Sequence, residues 1–101
     1  MNANDQIVAA VLAKGKVVPG YDPNLYRQDA CQAWMLRSQY GNRDSVYGWE
    51  IDHINPNGGD GLANLQPLQW ENNAAKSDGK LACVVTSSGA TNVRAVPARR
   101  T

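Results

Sequence analysis

Residues 49–78 read WEIDHINPNGGDGLANLQPLQWENNAAKSD, and this stretch decides how the rest of the chain is read. Trp49 and Ile51 alternate with Glu50 and Asp52, which predicts a strand over 46–54. Asn55-Pro56 ends it, because the residue before a proline is held extended and proline cannot donate to a ladder. A glycine-rich loop over 55–61 comes next, then a short extended segment over 64–68 and a helix over 70–76. Asp52 and His53 are neighbours, so a regular strand would send them to opposite faces. Both can serve one site only if the strand ends or bulges there.

Working outward, Asn4 is expected to cap a helix over 5–14, with Ile7, Val8, Val11 and Leu12 as its apolar stripe and Gly15 as its stop. Pro19, Gly20, Asp22, Pro23 and Asn24 crowd into a turn-rich linker. A second helix is expected over 25–39, where Leu25, Ala30, Cys31, Trp34 and Met35 fall on one face, with Gly41 beyond it. After the central stretch, strands are expected over 81–86 and 93–96, joined through the turn residues SSGATN. One domain is expected over 1–101: a helical part over 1–45, the central motif over 46–78, strands over 79–97 and a loose tail over 98–101.

The chain has 101 residues, no Phe, three Trp and four Tyr, enough for one modest core. Trp34, Trp49 and Trp70 read as core rather than as base-stacking platforms. The net charge of +1 excludes nothing, but its distribution is uneven. Residues 1–43 balance to +2, residues 44–73 to −5 and residues 74–101 to +4. An acidic centre between basic flanks suits a cation site beside a phosphate-binding surface, and chance clustering in a short chain is the plain alternative. No apolar run is long enough to span a membrane and the N-terminus lacks a leader pattern. These features favour a cytoplasmic protein with Cys31 and Cys83 reduced, although a disulfide between them remains open.

Hydrolysis of a phosphodiester needs a positioned water, a base to take its proton and a charge to neutralise the leaving oxygen. Asp52 offers a carboxylate and Asn73 an amide oxygen, the hard donors that Mg²⁺ prefers. His53 is the one histidine of the chain, and a neutral imidazole is a proton acceptor near neutral pH. Taken singly, each has an ordinary explanation. A histidine beside an aspartate is usually structural, Asn64 a loop brace, Asn73 a helix-surface residue and Glu50 an outward charge on the face of Asp52. Lys76, one helical turn after Asn73, could touch phosphate.

Together, Asp52-His53, Gly58-Gly59, Asn64-Leu65-Gln66-Pro67-Leu68, Asn73 and Lys76 resemble the HNH nuclease motif over about thirty residues. Residues 18–50, VPGYDPNLYRQDACQAWMLRSQYGNRDSVYGWE, resemble the N-terminal region of small stand-alone HNH proteins. The resemblance implies an α+β fold with a ββα-metal (His-Me finger) core, N-terminal helices and a C-terminal β-hairpin. It implies a divalent metal, Mg²⁺ first and Mn²⁺, Ni²⁺ or Zn²⁺ as alternatives, held by Asp52 and Asn73. His53 would be the general base, and Asn64 would brace the loop. The expected reaction is endonucleolytic hydrolysis of DNA, with RNA as an alternative. Arg27, Arg37, Arg43, Lys76 and Lys80 are the candidate nucleic-acid contacts. A non-catalytic nucleic-acid-binding module of the same fold is the rival.

Many HNH proteins add a structural zinc held by two cysteine pairs. Here Gln69 and Asn72 stand where the second pair would be, and no first pair precedes Trp49, so no structural zinc is expected. A thirty-residue motif without such a staple is too small to fold alone, so the flanking elements are expected to complete the core.

Overall fold

The computed structural model describes residues 3–95. The end of the predicted last strand, at Val96, and the tail over 98–101 lie outside them. The fold is α+β: one N-terminal helix, three separate two-stranded antiparallel sheets and a short central helix. Helix α1 (Ala3–Leu12) buries Val11 and Leu12. They form one cluster with Met35, Trp49 and Leu65, against which Val8 and Ile51 pack. The helix starts before Asn4, which therefore lies in its first turn instead of capping it.

The central stretch forms a hairpin followed directly by a helix. Strand β3 (Trp49–His53) pairs with β4 (Leu65–Gln69), in the register Trp49↔Gln69 through His53↔Leu65, and α2 (Trp70–Ala75) begins where β4 ends. On one face of this register Trp49 is wholly buried and Ile51 half-buried, opposite buried Gln69 and Pro67; Leu68, opposite Glu50, is buried on the other face, so β4 is covered on both sides.

The expected helix over 25–39 does not form, so the chain has one N-terminal helix instead of two. The segment holds strand β1 (Tyr26–Gln28), strand β2 (Trp34–Leu36) paired with it, and a 3₁₀ turn at Arg37–Gln39. Asp29 is the physical reason. Its Oδ1 accepts the backbone N–H groups of Cys31 and Ala33 at 2.9 and 2.8 Å, closing a turn that competes with helical hydrogen bonding. Gln32 sits at φ 65° in that turn, outside any helix. The apolar residues assigned to one helical face therefore divide: Cys31, Trp34 and Met35 are buried, whereas Ala30 and Leu25 are exposed.

The C-terminal hairpin exists but is displaced. Strand β5 (Val85–Ser88) pairs with β6 (Thr91–Arg94), so Ser87, Ser88, Thr91 and Asn92 are ladder residues and only Gly89-Ala90 turns. Asn72 draws residues 84 and 85 inward, its Oδ1 accepting from both Val84 N and Val85 N at 2.9 Å.

Gln69 and Asn72 are fully buried and organise the centre of the molecule. Gln69 Oε1 caps α2 by accepting from Glu71 N and Asn72 N, and its Nε2 donates to Val46 O at 3.2 Å. Asn72 Nδ2 donates to Asp29 Oδ2 and to Val85 O, both at 3.0 Å. Gln69 N donates to the same Asp29 oxygen at 3.0 Å. One buried polar hub thus joins all three hairpins. Burial pushes the Asp29 carboxyl up, while hydrogen bonds from Asn72, Gln69, Ala33 and Cys31 pull it back.

Beside the hub, Cys31 and Cys83 form a disulfide, with Cα atoms 5.4 Å apart. This corrects the expectation of reduced thiols, which failed because the Asp29 turn brings Cys31 to the start of the C-terminal segment. The expectation of a cytoplasmic location carried that of reduced thiols with it, and a structural disulfide is more usual in an oxidising compartment. No helix among the described residues is long and apolar enough to cross a membrane. The bond joins residues 52 apart in sequence. Closing so long a loop contributes about 4 kcal/mol in the chain-entropy account, and native disulfides typically contribute about 2–4 kcal/mol. Reduction, or Cys31→Ser with Cys83→Ser, should therefore lower Tm by on the order of 10–20 °C. Calorimetry with and without a dithiol reductant measures this, and an unchanged Tm would remove the bond from the account of stability.

Candidate active site

The sequence motif converges on one open cleft of about 480 Å³, lined by residues that include Asp52, His53, Asp60, Asn73, Lys76 and Asp78. The concern that adjacent strand residues diverge is met by the strand end. His53 is the last residue of β3, and the chain turns away through Asn55-Pro56, so Asp52 and His53 both border the cleft.

Asn64 shapes the loop between the strands. Its Nδ2 donates to Asn55 O at 2.9 Å and to Gly59 O at 2.8 Å, and its Oδ1 accepts from Asn55 N at 2.9 Å. The two glycines have distinct reasons. A Cβ on Gly58 would come within 2.9 Å of the Asn64 amide, and Gly59 holds φ +85°.

Asp52 is largely enclosed. Its Oδ2 accepts from Gln66 Nε2 at 2.9 Å and from Lys76 Nζ at 2.8 Å. The Lys76 ammonium also donates to the carbonyls of His53 and Ile54. That side chain is only 7% exposed, so in this structure its charge faces Asp52 and the strand end, not solvent. Asp52 Oδ1 has no hydrogen-bond partner among the described residues. Asn73 reaches the other way along β3, donating Nδ2 to Glu50 Oε1 at 2.9 Å, which leaves its own oxygen unpartnered among those residues. Glu50 is held by a forked pair from Arg43, at 2.7 and 2.9 Å. The guanidinium, stacked over Trp70 at 5.5 Å, keeps the Glu50 carboxyl below the usual range, against burial and with help from Asn73.

Of the basic candidates, Lys76 alone lines the cleft. Arg43 is paired with Glu50 at its side. Arg37 lies in a separate hollow with Asn4 and Tyr40, and Arg27 is bonded to the carbonyls of Pro23, Ala13 and Gly15. Lys80 is exposed next to the lining residue Gly79. Trp34 and Trp49 are buried, and Trp70 is half-buried with Nε1 donating to Ser45 O at 2.9 Å.

The sequence reading missed Asp60, whose Oδ1 stands 2.7 Å from His53 Nε2. The available signal was its place directly after Gly58-Gly59, as the one acidic residue of the loop. Among the described residues no three His, Cys, Asp or Glu side chains are placed to hold a metal together. A cation here would therefore depend on Asp52, an amide oxygen and water. Comparisons of the chain with protein-family models, with curated proteins and with solved structures return no match.

Proposed function

We propose that this protein is a metal-dependent endonuclease of the HNH type, hydrolysing phosphodiester bonds of DNA, with RNA as the alternative substrate. The observation that carries the reading is the cleft at the end of β3, which Asp52, His53 and Asn73 line together, with Asp52 Oδ1 and Asn73 Oδ1 unpartnered among the described residues. Such a donor set fits Mg²⁺, which binds through few protein oxygens and leaves positions for water and phosphate. Bound by Asp52 and Asn73, a divalent cation would polarise the phosphate and neutralise the leaving oxygen.

The remaining steps belong to the protein's own groups. His53 borders open solvent, so a water can lie against its ring, and the neutral imidazole takes that water's proton as the oxygen attacks phosphorus. Lys76 and Gln66 hold the Asp52 carboxylate through one oxygen, Oδ2, and leave the other without a partner among the described residues. The Asn64 clamp holds the loop that forms the opposite wall. Nucleic acid would reach the site past exposed Lys80. One observation favours the rival binding module: the ammonium of Lys76 already neutralises Asp52 and would compete with a cation.

Incubation with supercoiled plasmid and Mg²⁺, Mn²⁺ or Ni²⁺, with metal affinity measured by calorimetry, tests the assignment. Asp52→Asn is the informative variant, because its amide oxygen keeps an acceptor for the buried Lys76 ammonium, whereas Asp52→Ala would remove both the charge and the acceptor and destabilise the fold further. Asp52→Asn should weaken both metal binding and cutting, with excess metal restoring part of the activity. Asn73→Ala should do the same more mildly, since it removes a neutral oxygen. Nucleic-acid binding without cutting under every metal would transfer the case to the binding module.

A further inference from the structure

His53 Nε2 and Asp60 Oδ1 are 2.7 Å apart. A carboxylate can only accept, so this bond requires the hydrogen on Nε2. In the neutral ring, Nδ1 is then the unprotonated nitrogen. Nδ1 has no hydrogen-bond partner among the described residues. We propose that Asp60 is a positioning residue: its carboxylate holds the His53 ring in the Nε2–H tautomer and in one orientation, so that Nδ1 is the atom that receives the proton from water. This rests on the nuclease reading for its purpose, but not for its test.

Two features separate the proposal from an accidental surface contact. The Asp60 side chain is 96% exposed, and His53 is its only partner among the described residues, so the contact has no evident structural use. A polar contact this exposed adds little to stability. The loop is also built to deliver the residue. Asn64 clamps the carbonyl of Gly59, immediately before Asp60, while the absent Cβ of Gly58 admits the clamp and the positive φ of Gly59 turns the chain. The brace on the loop and the orientation of the base are thereby one device: Asn64 acts on His53 through Asp60.

The chain has a single histidine, so the nitrogen-15 signals of its imidazole need no assignment. Followed upward in pH until they no longer change, their shifts report the tautomer of the neutral ring. The wild-type ring should be almost wholly Nε2–H, and Asp60→Ala should show a mixture like that of the urea-unfolded chain. Asp60→Ala should also lower kcat on the order of tenfold with KM nearly unchanged. Asp60→Glu, with a longer arm on an exposed loop, should recover part of both signals. Equal tautomer populations in wild type and Asp60→Ala would overturn the proposal, as would a wild-type ring carrying its hydrogen on Nδ1. A wild-type protein that never cuts would end the nuclease reading, and the tautomer comparison would still decide the role of Asp60.

Discussion

Single-turnover cutting of supercoiled plasmid by His53→Ala should fall by about 10²–10⁴-fold, the usual effect of losing a general base. The fold should be untouched. The imidazole is 42% exposed, and its hydrogen bond is to Asp60 on the loop. The ladder partner of His53 is Leu65, and Lys76 reaches its carbonyl, so both are backbone contacts that alanine keeps. Metal affinity should stay close to wild type, because Asp52 and Asn73 are unchanged. This pattern, activity lost with folding and metal binding kept, distinguishes a base from a ligand. Wild-type rates from His53→Ala would sink the mechanism, whatever metal is supplied.

The second large effect concerns stability. Asn72→Ala should cost about 3–5 kcal/mol, because buried hydrogen-bonding groups left alone cost about 1–3 kcal/mol each. Val84 N and Val85 N would lose their acceptor, and Asp29 Oδ2 and Val85 O would lose a donor. Against a total of about 5–15 kcal/mol for a domain, this leaves the protein marginal. Asn72→Asp refines the test. It keeps an acceptor for Val84 and Val85 but sets a second carboxylate beside Asp29. Like charge raises the native pKa of the pair, so the native state binds a proton more tightly than the unfolded chain. The variant should therefore be weak at neutral pH and regain stability as pH falls toward about 4. Urea denaturation at both pH values measures this, and a wild-type midpoint for Asn72→Ala would show the hub to be dispensable.

The central hairpin and helix were legible because their signals are local: alternation through Trp49 and Ile51, a proline just beyond the strand, and two glycines with steric reasons. The motif residues could be brought to one cleft on the same grounds. Residues 25–39 were misread because apolar spacing alone does not reveal a side chain that takes backbone hydrogen bonds, and Asp29 does this within one turn. The displaced C-terminal strands share that cause, since their start is set by Asn72 across the molecule. Nothing local marks Gln69 and Asn72 as the polar hub that joins the hairpins, since their partners beyond α2 lie 12 to 43 residues away in sequence. Asp60 was missed because its contact with His53 depends on the shape of a loop, and the tie of Lys76 to Asp52 because it depends on how α2 lies on β3.

The disulfide encloses the whole motif, from residue 31 to residue 83. The exposed loop over 55–61 is the kind of segment that proteases nick. A single cut there would put Asp52 and His53 on one fragment and Asn64, Asn73 and Lys76 on the other. The two pieces would remain one molecule, joined through Cys31 and Cys83. The disulfide thus makes the protein a natural split pair, whose halves can be separated by cutting the chain only after the sulfur bridge has also been opened.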